Sequence, residues 1–121
     1  MSQVSSIVIY VGRLLLAALF VAGCVQKLVD PAAAQALLAE RGLPVLLVWP
    51  AMVFNGVAAL SLVFGLWLAP MSFALALYSM GTSVFHFIPD DPWQMSIFVK
   101  NWAIAGGLLV LAGHAATKPA A

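Results

Sequence analysis

Charge is what this chain has least of. Only 7% of its 121 residues are Asp, Glu, Lys or Arg, against 64% hydrophobic. A water-soluble domain carries about a quarter charged residues, so this chain lacks the polar surface that would cover a soluble globule. Five basic and four acidic residues leave a net charge of +1, which gives no electrostatic case for nucleic acid. Cysteine is nearly missing too. The single Cys24 excludes an internal disulfide and any multi-cysteine metal site. The two histidines, His86 and His114, sit at opposite ends of the expected bundle with no acid or thiol to complete a metal set. No nucleophile–base pair, phosphate loop or haem-type ligand pair is present, so the sequence offers no catalytic residue.

What remains is apolar sequence cut into four runs by the few charges: about 5–28, 44–67, 70–87 and 94–114. Each approaches the roughly 20 residues needed to cross about 30 Å of hydrocarbon as a helix. Backbone groups in lipid must bond within their own segment, so these runs predict helices. The expected fold class is all-α, an integral membrane four-helix bundle forming a single transmembrane domain over 1–121. Between the first two runs, "DPAAAQALLAERGLP" predicts a short interfacial helix over about 31–41. Asp30 stands as N-cap, Pro31 in the first turn, Gly42 at the end and Pro44 beyond. "WLAP" predicts the turn between runs two and three, and "IPDDPW" the link between three and four.

Val21-Ala22-Gly23-Cys24 fits a lipoprotein cleavage box. A signal peptide places positive charge before a short apolar core. Here "SSIVIYVG" precedes Arg13, the run is long enough to span, and three more follow. The expectation is a retained first span with Cys24 as a small packing residue. The acids Asp30, Glu40, Asp90 and Asp91 all fall in the first and third links, and Lys118 lies after the last run. That distribution places both termini in the cytoplasm. Lys27, Trp49, His86, Trp93 and Lys100 then gather toward the outer face.

Ionisable groups inside a span are costly and are functional candidates by default. Arg13 lies about 12 Å into its run and Lys100 about two turns into the fourth. No carboxylate lies in any run, so these cations lack an internal counter-charge unless Asp90 or Asp91 folds over Lys100. Arg13 and Asn55 are expected at similar depth. Two readings stay open for the cations: they snorkel to headgroups or donate to carbonyls and Asn55, or they coordinate an anionic or carbonyl-bearing guest. Ser79, Ser83 and His86 fall at i, i+4 and i+7, with Thr82 adjacent. The hydroxyls are read as bonding their own helix backbone, while His86 faces Lys27 or Lys100. His114 is read as interfacial.

These pieces resemble the DoxX family of small four-span bacterial membrane proteins. "GRLLLAALFVAGCVQKLVDPAAAQALLAERGLP" resembles its first-span signature, "FGLW" with a following proline its second turn, and "QMSIFVKNWAIAGGLLVLA" its fourth span. Arg13, Lys27, His86, Lys100 and Asn101 match the family's recurring polar residues. Two departures stand out. Asn55 occupies the second span where many members have an acid, and Ala69 the second turn where many have a basic residue.

The family is similar to the small membrane subunit of a thiosulfate:quinone oxidoreductase and includes members associated with oxidative-stress defence complexes. The resemblance therefore implies an accessory redox subunit of the bacterial inner membrane, not catalytic alone. It would bind a quinone head or anionic lipid through Arg13, Lys27, Asn55, His86, Lys100 and Asn101, with no covalent cofactor and no metal. Its partners would be the bilayer and a protein or a second copy. A scaffold or assembly factor without ligand is the alternative. A small-solute carrier is the third reading, and the absence of broken midplane helices argues against it.

Overall fold

The structure is a computed structural model and describes residues 2–117. Lys118, one of the charges behind the expected orientation, lies outside the described residues. The chain is all-α: among the described residues it has no strand, and four helices are long and apolar enough to span a membrane. It divides into two compact units at Leu66–Trp67.

The first unit begins with α1 (Gln3–Val29). Ser2 caps it, its hydroxyl accepting from the Ser5 amide at 3.1 Å. The helix runs unbroken through Val21 to Cys24. It stops at Asp30, whose φ of −138° is the extended backbone demanded of a residue before proline. Then α2 (Pro31–Glu40) follows. Asp30 holds the expected N-cap position, but its side chain makes no capping bond. At the other end Gly42 has φ +70°. The Gly42 amide donates to Ala39 and the Leu43 amide to Leu38, the paired closure of a Schellman motif. A 3₁₀ turn (Val45–Leu47) leads into α3 (Val48–Phe64), which ends at Gly65 with φ +73°.

Within this unit α1 packs antiparallel along α3. The N-terminal part of α1 meets the last turn of α3 at Arg13, and its C-terminal part meets Asn55 at Lys27. Small residues allow the close approach. A Cβ at Gly56 would lie 3.3 Å from Cys24 Sγ, and one at Gly23 3.3 Å from Asn55 Oδ1. Ala17 and Phe20 of α1 and Ala58, Ala59 and Leu62 of α3 are buried.

The second unit contains α4 (Leu68–Thr82), which tightens into a 3₁₀ turn (Ser83–His86), and α5 (Pro92–Ala116). The link is built, not slack. The Ile88 amide donates to His86 and the Asp91 amide to Ile88, both at 2.9 Å. Asp91 then caps α5, its carboxylate accepting from Trp93 N at 3.0 Å and Gln94 N at 3.3 Å. Pro92 follows at the first helical position, where its missing N–H costs nothing. The helices pack side by side. Ser72, Leu75, Ala76 and Ser79 form a buried stripe on α4, and Ala105, Leu108 and Ala112 one on α5.

The second turn differs from expectation. It lies at Gly65–Trp67, not at "WLAP", and α4 already begins at Leu68. Gly65 takes the left-handed conformation that ends α3. Pro70 falls in the first turn of α4, where its missing N–H has no intrahelical partner to lose. Trp67 is also left-handed, at φ +50°, and is the only non-glycine with positive φ among the described residues.

Candidate functional site

In the first unit, Arg13 is a cap supplied by a neighbouring helix. Its Nε donates to the Leu62 carbonyl at 2.8 Å and its Nη2 to the Val63 carbonyl at 3.2 Å. Both oxygens belong to the last turn of α3, which leaves carbonyls without intrahelical partners. A cation there also meets the negative end of the helix dipole. The Tyr10 ring lies 5.1 Å from Cζ. Of the partners open to Arg13, backbone carbonyls are the ones observed, and Asn55 is not among them. The reason is register: Arg13 lies opposite the end of α3, whereas Asn55 lies about two and a half turns before that end.

Asn55 pairs with Lys27 instead. Lys27 Nζ donates to Asn55 Oδ1 at 2.9 Å, and Asn55 is 2% exposed. The amide occupies the place where an acid would make an ion pair. Here a neutral oxygen meets the ammonium, a charge-assisted bond without a counter-charge.

In the second unit the polar groups gather at the link. His86 Nδ1 lies 2.7 Å from Gln94 Oε1, so His86 faces Gln94 and not a lysine. The correction follows from the short link, which brings the start of α5 directly back onto the end of α4. Aromatic rings continue from there along α5. Phe87 and Phe98 have centroids 5.2 Å apart, and Phe98 and Trp102 6.3 Å. Asn101 lies seven residues beyond Gln94, on the same helical face, and is half-buried. Its side chain has no hydrogen-bond partner among the described residues. Lys100 is exposed, with Nζ 5.9 Å from the Trp93 ring. Asp91, one of the two acids considered for it, spends its carboxylate on the α5 cap.

Two of the hydroxyls at the end of α4 and in the 3₁₀ turn close on their own backbone, while Ser79, also expected to do so, makes no such bond. Thr82 Oγ1 donates to Tyr78 O at 2.8 Å and Ser83 Oγ to Met80 O at 2.5 Å. Ser72 Oγ and His114 Nε2 are buried without a hydrogen-bond partner.

Gln94 is the site residue that sequence reasoning passed over. Its signal was present. Asp91-Pro92-Trp93-Gln94 has the spacing of a capping box, in which the glutamine would turn back to the Asp91 amide. That amide is already taken by Ile88 O, which leaves the Gln94 side chain to His86.

The structure therefore brings Lys27 to Asn55 in one unit. In the other, His86 stands at the link against Gln94, Lys100 lies by Trp93 and Asn101 sits about two turns beyond Gln94 on α5, with no hydrogen bond joining the three, and Arg13 serves the end of α3. No curated protein and no solved structure matches the chain. A family model named DoxX matches residues 8–88, from the first turns of α1 to the link after α4, so α5 with Gln94, Lys100 and Asn101 lies beyond the matched part. With two-thirds of its length covered and four apolar spanning helices, this multi-pass membrane protein belongs to the DoxX family.

Proposed function

We propose that this chain is an accessory subunit of a quinone-linked or oxidative-stress redox system in the bacterial inner membrane, with both termini cytoplasmic. It holds a quinone head group at the link end of α4 and α5, and a protein partner supplies the electron-transfer cofactor. The observation that carries this reading is the His86–Gln94 bond set beside the Phe87–Phe98–Trp102 row.

The residues present fit such a group. A flat ring stacks against aromatic side chains, and its oxygens need a few placed polar partners in an otherwise apolar wall. Asn101 offers an amide N–H to a carbonyl oxygen. His86 offers its second ring nitrogen, Nε2. Exposed Lys100, drawn toward Trp93, suits the phosphate of an anionic lipid at the interface. When bound, the quinone supplies the electron and proton carrying chemistry. The chain's own part is to bind, orient and shield the ring.

The test is total ring content, quinone plus hydroquinone, after anaerobic purification in mild detergent. Wild type is expected to retain the ring, His86→Ala and Asn101→Ala to lose most of it, and Arg13→Ala to keep it. Wild-type protein without either form, or His86→Ala with a full complement, overturns the reading. A ligand-free scaffold is the second reading, favoured by the internal partners of Arg13 and Lys27. It expects alanine at either position to lower complex yield while no variant changes any bound molecule.

A further inference from the structure

We infer that the His86–Gln94 pair selects the reduced, hydroxyl-bearing form of the ring, so that Gln94 is a specificity-determining positioning residue. The inference rests on the quinone-site reading above and assigns its redox preference.

The argument begins with one oxygen. Gln94 Oε1 can only accept a hydrogen bond, and it stands 2.7 Å from His86 Nδ1. With that oxygen facing the ring, the proton is assigned to Nδ1. In the neutral imidazole that leaves Nε2 as a bare acceptor. The tautomer is held by the backbone as well as by the pair. Asp91 caps α5 through Gln94 N, and the Asp91 amide is bonded to Ile88 O, so Gln94 has no capping duty competing for its side chain.

His86 is half-buried, and its Nε2 has no hydrogen-bond partner among the described residues. An unpaired acceptor beside the Phe87–Phe98–Trp102 row discriminates by chemistry. A quinone carbonyl is itself only an acceptor, and facing Nε2 it leaves two lone pairs opposed. A hydroquinone O–H donates to Nε2, while its other oxygen still accepts from the Asn101 amide. An unmatched polar group in such a site costs far more than a matched one returns.

The experiment uses the full chain in lipid nanodiscs under anaerobic conditions. The first readout is the ¹⁵N spectrum of labelled histidine with the ring neutral. The chain has only two histidines, so a His114→Gln background isolates His86. The expected signature is protonated Nδ1 and bare Nε2. Gln94→Met removes the acceptor and is expected to abolish that fixed tautomer, and Gln94→Glu to restore it. The second readout is binding of a short-chain naphthohydroquinone, its naphthoquinone and its dimethyl ether.

The hydroquinone is expected to bind about tenfold or more tightly than the other two, the effect of losing one well-placed hydrogen bond. The preference is expected to vanish in Gln94→Met and, at a pH where the His86 ring is neutral, to survive in Gln94→Glu. A wild-type ring protonated at Nε2, or quinone binding equal to hydroquinone, overturns the inference and leaves the quinone site standing. Failure of all three probes to bind overturns both.

Discussion

At Gly65 two demands meet on one residue. Its φ of +73° is left-handed, and a Cβ there would sit 2.9 Å from Arg13 Nη2. Glycine is therefore needed to end α3, and a Cβ there would also force a shift of the flexible end of Arg13, which covers the Leu62 and Val63 carbonyls. Gly65→Ala is expected to cost about 1–3 kcal/mol in thermal unfolding from detergent, combining left-handed strain with a disturbed cap. Arg13→Ala alone removes the cap. The Arg13→Ala/Gly65→Ala pair should cost less than the sum, because the steric part disappears with the arginine. Strict additivity would show that the two side chains do not meet.

The element that organises the candidate site is the link from His86 to Asp91. Asp91 accepts from two amides of α5, and Gln94, one of those two residues, holds His86. Asp91→Ala is expected to lower the unfolding free energy by about 1 kcal/mol through loss of the cap, and to broaden the His86 ¹⁵N signal as Gln94 loses its anchor. A cost without any change at His86 would confine Asp91 to a capping role. The local signals were legible in part. Gly42 marks the end of α2 as expected, whereas the expected link ran on to Trp93 and α5 in fact starts at Pro92, where Asp91 caps it. The partner of Gln94 was not legible, because a capping-box spacing leaves the glutamine two destinations. Only the folded link shows that Ile88 already occupies one.

At the scale of the molecule, four helices among the described residues satisfy the length and apolarity needed to cross a bilayer. An even number of crossings returns the chain to its starting side. In a Cys24→Ser background, single cysteines at Ser2 and Thr117 are expected to react with a membrane-impermeant thiol reagent only after the cytoplasmic face is opened. One at Asp90 is expected to react in intact spheroplasts. The reverse pattern would invert the orientation and place the His86–Gln94 end at the cytoplasmic face. The charge bias behind the expectation rests on few residues, which is why labelling decides it more sharply than loop counting.

The sequence by itself determined the class, the helical state, the four long apolar runs and the bounds of α2. Those depend on apolar run length, on the backbone's need to bond internally in hydrocarbon, and on proline, glycine and aspartate at particular positions. Tertiary structure alone decided which polar group meets which: Arg13 with the end of α3, Lys27 with Asn55, His86 with Gln94. The physical reason is register. Side-chain reach is only a few ångströms, and a helix can slide a full turn against its neighbour without altering composition or apolar period. The choice of partner is therefore made by small-residue contacts and link geometry once the helices pack.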